Sequence, residues 1–121
     1  MSNQDIVVKN VIGSNFAITE DDGELLWENL KSAFKTIQDK DDIIILDFTG
    51  IELVTTAFLN KCIGINLFTT FSVDTVLKTL KIKGIQDTAT LDLFKLVLDI
   101  AIKTASKSQQ TWLIFSYNLS R

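Results

Sequence analysis

Asp47, Thr49, Glu52, Thr55 and Thr56 fall within ten positions of one another, between an apolar run that begins at Ile43 and an apolar segment that continues to Leu67. No other stretch sets short polar side chains between two hydrophobic elements in this way. Two carboxylates so close in sequence could serve as a general acid and base, but nothing in the spacing of Asp47 and Glu52 brings them together, so a catalytic pair is not expected. Thr55 and Thr56 stand where a helix should start. The free N–H groups of a helix N-terminus attract anions, so a hydroxyl there either caps the helix or accepts a phosphate, whose charge of about −2 suits the positive end of the dipole. Both readings stay open from the residues alone.

The rest of the composition narrows the chemistry. The 121 residues contain no histidine, which removes Ser-His-Asp and Cys-His catalysis and most zinc sites. The single Cys62 cannot form an internal disulfide, suits a reducing compartment and reads as a small core residue. No glycine-rich phosphate loop or metal-spaced cluster is present, and no cofactor is expected. The net charge is −3, and the only arginine is Arg121. Without a basic patch to release counterions, nucleic-acid binding is not expected. The first residues lack a basic, apolar leader, and no apolar run reaches the ~18–20 residues that span a bilayer. A soluble, cytoplasmic, non-enzymatic protein is the expectation, built as one domain long enough to bury its own core.

These polar residues need elements to hold them. Ile6–Ile12 is β-branched and apolar and predicts a strand. Gly13-Ser14-Asn15 predicts a turn, and Phe16–Ile18 a short returning strand that closes a hairpin. Thr19 followed by Glu20, Asp21 and Asp22 predicts a capped helix, with Leu26, Leu30, Ala33, Phe34 and Ile37 as its buried stripe. Ile43–Phe48, apolar on both faces except at Asp47, predicts a central strand covered on both sides. Gly50 permits a sharp turn, and Thr55 caps a second helix with Phe58, Leu59, Cys62, Ile63, Asn66 and Leu67 on its periodic face. Lys61 is the only charge from Val54 to Phe71, so this helix should be buried against the sheet or covered by a partner. A short capped helical turn over Ser72–Thr79, a strand over Leu80–Ile85 with Lys81 and Lys83 toward solvent, and a long helix opening at Asp87 and ending near Ser106 follow. The tail Thr111–Asn118 is aromatic and predicts a further strand, on the same chain or a neighbour. The expected class is α/β, a mixed four- to five-stranded sheet in the order β(β)αβαβα with a C-terminal strand. Residues 1–106 would form the domain and 107–121 an extension.

The segment IIILDFTGIELVTTAFLNKCIG, residues 43 to 64, resembles the STAS family, the fold of anti-sigma-factor antagonists and of sulfate-transporter tails. It is most similar to the short bacterial STAS-like subfamily. Leu46-Asp47-Phe48, Gly50-Ile51-Glu52 and Thr55-Thr56-Ala57-Phe58-Leu59 carry the likeness, together with the later LKIKGI strand and the helix opening at Asp87, over roughly residues 5 to 106. The resemblance implies a regulatory protein-interaction module that binds an ATP-binding anti-sigma-type serine kinase and is released by phosphorylation at the helix start. Ala57 stands where that family places the phosphorylated serine, Thr55 where its preceding aspartate stands, and Phe58 where a glycine follows. Thr56, then Thr55, are therefore the candidate acceptors. The implied partner surface comprises Asp47, Gly50, Glu52, Thr55, Thr56, Ala57, Phe58, Asn60 and Lys61. A constitutive binding or assembly subunit without phosphorylation, including a homodimer through residues 111–118, is the alternative. A small enzyme ranks third.

Overall fold

The computed structural model describes residues 3–119, and the side chains of residues 3–105. Three strands, β1 (Asn3–Val7), β3 (Ile43–Asp47) and β5 (Leu80–Lys83), form a sheet in the order β1-β3-β5. All pairings are parallel. Two further short strands, β2 (Phe16–Ala17) and β4 (Leu53–Val54), pair in parallel beside it. The expected mixed sheet of four to five strands is thus an all-parallel three-stranded sheet plus a separate two-stranded one. β3 is central, as its composition predicts.

The expected opening hairpin is absent among the described residues. After Val7 the chain turns into a short helix, α1 (Val8–Ile12), which ends at Gly13 in the left-handed region with φ 67°. β-branched density predicts a single strand here, but Val8, Val11 and Ile12 recur at helical spacing, and Gly13 supplies the terminating conformation. β2 then pairs with β4 instead of turning back on β1.

α2 (Glu20–Lys35) starts as predicted. Thr19 accepts a hydrogen bond from the Asp22 amide at 3.1 Å, and Glu20, Asp21 and Asp22 fill the first turn. Leu26, Trp27, Leu30, Ala33 and Phe34 are buried. The second helix is broken in two, α3 (Thr56–Cys62) and α4 (Ile65–Thr70). The break lies at Gly64, where a Cβ would collide with the Asn60 carbonyl oxygen. The apolar periodicity runs across both pieces, which is why it predicts one helix. Leu67 and Phe68 of α4 still enter the core, whereas Asn66 is exposed. α5 (Val73–Thr79) begins under Ser72, which accepts from the Thr75 amide.

α6 opens under Asp87, whose carboxylate accepts from the Thr90 amide at 2.9 Å. It then runs from Thr88 to Leu119 without interruption. The strand expected over 111–118 is helix, and the boundary expected at residue 106 falls inside it. No glycine or proline interrupts Lys107–Gln110, so an established helix propagates through segments whose own preference is β. Among the described residues no helix is long and apolar enough to cross a membrane.

Both crossovers, β1 to β3 and β3 to β5, step in the same direction across the sheet. Right-handed crossovers that step one way lay their helices on one face. Burial agrees. Ile6, Ile44 and Leu46 belong to the core cluster, and Leu80 and Ile82 pack against it. Phe94 of α6 meets Phe48 edge-on with ring centroids 4.8 Å apart. Ile43 and Ile45 alternate to the opposite face, so among the described residues β3 is covered on one side and not on both as expected.

α2 and α3 approach closely at Gly23. A Cβ there would lie 2.7 Å from the Lys61 Cβ and 2.7 Å from the Phe58 carbonyl oxygen. An exposed helical glycine replaced by alanine gains about 1 kcal/mol. Here overpacking outweighs that gain. Gly23→Ala is expected to destabilise the protein by about 1–3 kcal/mol, read as a lower denaturant midpoint. A stabilised variant would show that the two helices are free to separate.

Candidate functional site

The carboxyl ends of β3 and β5 converge on the corner that holds the polar cluster. Asp47 ends β3 and is half-buried. Its Oδ1 accepts from the Thr49 amide at 2.9 Å and from the Thr49 hydroxyl at 2.7 Å. Lys83, its neighbour in register on β5, stands 3.9 Å from Oδ2. The two Thr49 hydrogen bonds, with a smaller contribution from Lys83, hold the Asp47 carboxyl below the ordinary carboxylate range. Asp47 therefore braces the turn after β3. Gly84 closes the same corner from β5 with φ 86°. A Cβ there would lie 2.6 Å from the Thr49 hydroxyl and 2.8 Å from Asp47 Oδ1. The Phe48 amide donates to the Lys83 carbonyl at 2.9 Å, which continues the β3–β5 pairing into the turn.

Glu52 points elsewhere. Its amide donates to the Asn15 carbonyl at 2.7 Å, and its carboxylate lies 3.5 Å from the Asn15 side-chain amide. Asp47 and Glu52 thus serve different loops, as their sequence spacing suggests. Glu52 instead lines a cleft of about 420 Å³ with Phe48, Leu53, Ile85, Asp87 and Thr90. The cleft lies at the carboxyl end of the parallel sheet, where open α/β folds bind their ligands. Hydrogen bonds from the Thr90 side chain and amide hold the Asp87 carboxyl below its usual range.

The two threonines differ sharply. Thr55 Oγ1 accepts from the Phe58 amide at 3.2 Å and donates to the Ile18 carbonyl at 2.6 Å. It is the cap of α3 and ties that helix to the chain after β2. Thr56 and Ala57 are exposed in the first turn. Asn60 is exposed, and Lys61 Nζ stands 4.0 Å from Glu24 of α2. Gly50 is exposed in a positive-φ turn beside Lys9, whose Cδ would lie 3.4 Å from an added Cβ. Phe58, expected on the partner surface, is fully buried, because the face of α3 that carries it points into the core with Leu59 and Cys62. Burial pushes the Cys62 thiol well above its ordinary range, so it stays protonated and unreactive in the folded state.

Sequence reasoning missed the apolar part of this corner. Phe16 and Leu53 are register partners on the small sheet and are 48% and 50% exposed, and Ile18 beside them is 40% exposed. Their neighbours Ala17 and Val54 are buried, so the small sheet turns one apolar side inward and the other outward. Glu20, Asp21 and Glu52 flank the outward side in the chain. The signal is present in the alternation of Phe16-Ala17-Ile18 and Leu53-Val54, but it shows only once β2 and β4 are known to pair. Gly84 is legible as an isolated glycine at the end of a strand pattern, which marks close backbone approach. Among the described residues no three acidic or thiol side chains converge as metal ligands.

A family profile described as a STAS-like domain of unknown function matches residues 22–90, which runs from the first turn of α2 to the first turn of α6 and contains the corner. No curated protein and no solved structure matches the chain.

Two outcomes test this geometry. Thr55→Ala should cost about 1–2 kcal/mol in unfolding free energy, because it removes a helix cap. Thr56→Ala should stay within about 0.5 kcal/mol of the parent, as exposed substitutions do. Because the folded Asp47 carboxyl titrates below its unfolded value, its contribution is complete at neutral pH and is lost as pH falls through the folded value. Denaturant midpoints should fall below about pH 4, and Asp47→Asn should flatten that decline.

Proposed function

We infer, from the premise that the chain belongs to the STAS-like domain family matched over residues 22–90, that it is a regulatory protein-interaction module that docks partners through the corner after β3. One observation carries this reading: Phe16, Ile18 and Leu53 form an exposed apolar cluster beside the free first turn of α3. Exposed apolar groups clustered at the rim of a polar cleft suit protein contact better than solvent. The flanking Glu20, Asp21 and Glu52 favour a partner segment with apolar side chains next to lysine or arginine.

The switch we propose is phosphorylation of Thr56. The Thr55 hydroxyl is engaged twice, as donor and as acceptor, so a kinase would have to break the α3 cap to reach it. Thr56 is exposed one residue on. A phosphate there sets about two negative charges beside the apolar cluster, and the cost of desolvating it under a docked partner would disfavour the complex. An ATP-binding serine kinase of the anti-sigma type is the partner class the family likeness suggests. A constitutive docking surface is the second reading, favoured by Ala57 at the position where anti-sigma-factor antagonists carry their serine. We assign no catalytic role to the cleft.

The test uses the full chain, ATP and such a kinase, with modified sites read by mass spectrometry. Thr56→Ala should abolish phosphate incorporation, and Thr55→Val should retain it. Phe16→Asp with Leu53→Asp should weaken kinase binding at least about 10-fold, the loss expected when an apolar anchor is removed. Incorporation that persists in Thr56→Ala removes the switch. Binding unchanged in the double aspartate variant removes the docking surface.

A further inference from the structure

The face of the main sheet with no helix over it among the described residues carries Ile43, Ile45 and Asp47 along its centre and opposite charges at its two edges. Register sets Asp5, Ile45 and Lys81 in one row and Val7, Asp47 and Lys83 in the next, with Ile43 beside Asn3. Partners in register on parallel strands share a face, and Ile6, Ile44, Leu46 and Ile82 occupy the other face with the core. Asp5, Lys81 and Lys83 are exposed, whereas Val7, Ile43 and Ile45 are half-buried outside the core cluster. A run such as Ile43-Ile44-Ile45-Leu46, apolar on both faces, belongs to a strand covered on both sides. Among the described residues, the fold of a single copy covers one.

We propose that this bare face is a self-association surface, on which a second copy of the chain stacks sheet to sheet about a twofold axis parallel to the strands. The charges select both the occupant and the axis. Within one copy Asp5 and Lys81 are separated by β3, about 10 Å from strand to strand, too far for an ion pair. A twofold axis along the strands exchanges left and right, so β1 of each copy lies over β5 of the other. The rows keep their level, and each Asp5 faces a Lys81 of the second copy while the isoleucines of the two β3 strands meet at the centre. A twofold axis across the strands would set acidic edge on acidic edge and basic edge on basic edge, which repels. Aligned sheets pack about 10 Å apart, which suits isoleucine side chains from both sides. Asp47 shares the face and lies opposite its counterpart at the end of β3, but its Oδ1 is held by Thr49 and its Oδ2 stands 3.9 Å from Lys83, which offsets that one like-charge pair against two Asp5–Lys81 pairs.

The face spans three strands of four or five residues, about 14 Å by 16 Å. Two such faces bury roughly 450 Å² together, well below the ~1,200 Å² of a stable dimer, so the dimer should be weak and concentration-dependent, populated toward the upper end of the range tested below. This surface lies on the opposite side of the sheet from the core-facing helices and does not depend on the docking role of the corner.

Sedimentation equilibrium of the full chain from about 10 µM to about 1 mM tests it, at low salt and at about 0.5 M salt. The expected result is a monomer–dimer equilibrium weakened by salt. Asp5→Lys and Lys81→Glu should each weaken it about 10-fold, since each opposes like charges. The double variant Asp5→Lys/Lys81→Glu should return to within about 3-fold of the parent, because it restores the pairs with their signs exchanged. A chain that stays monomeric throughout overturns the proposal. So does a dimer indifferent to both single substitutions, or one that the double exchange fails to restore. All substituted side chains are exposed, and unchanged thermal unfolding of each variant confirms that the fold is intact.

Discussion

The structure depends on one topological constraint. Two parallel crossovers step the same way across a three-stranded sheet, and the handedness of the chain then places their helices on one face. Everything else follows from that one-sidedness. The core forms between the sheet and a continuous helical layer, with Ile44 and Leu46 on one side and Phe58, Phe68 and Phe94 on the other. The carboxyl ends of β3 and β5 arrive together, so the turn after β3 and the turn after β5 share a corner. The opposite face of the sheet is left with no helix over it among the described residues.

Close approach makes that arrangement tight. Gly23 lets α2 lie against α3, Gly64 lets α3 turn into α4, and Gly84 lets the end of β5 touch the Asp47–Thr49 turn. At each of these positions a single added carbon would meet atoms that cannot easily move. Interiors packed to crystal-like density transmit such clashes instead of absorbing them. The corner is therefore rigid where it is braced, at Asp47, Thr49 and Gly84, and open where it is exposed, at Thr56, Phe16 and Leu53. Rigid support beneath an exposed apolar cluster suits recognition, since little conformational freedom is lost when a partner settles on it.

Much of this is legible in the amino-acid order. Thr19, Thr55, Ser72 and Asp87 each read as helix caps, and each side chain accepts the amide bond that a cap should. The central strand and the buried stripes of α2 and α3 follow from periodicity. The expected single helix over α3 and α4 fails because periodicity is blind to the non-helical backbone that Gly64 adopts between them. The expected hairpin fails because pairing partners distant in sequence leave no local mark. The tail prediction fails because a growing helix overrides the β preference of Trp112–Tyr117, with nothing in Lys107–Gln110 to stop it.

By itself the sequence determined the class of the fold, the caps, the core and the position of the corner, because these depend on contacts a few residues apart or on a repeating apolar pattern. Only the tertiary structure decided which corner residues are free. It committed the Thr55 hydroxyl to two bonds and buried Phe58. It also assembled Phe16, Ile18 and Leu53 into one patch from segments far apart in the chain. It decided, too, that the apolar outer side of β3 faces away from its own helices. Direction of crossover is a property of the whole chain, and no window of residues encodes it.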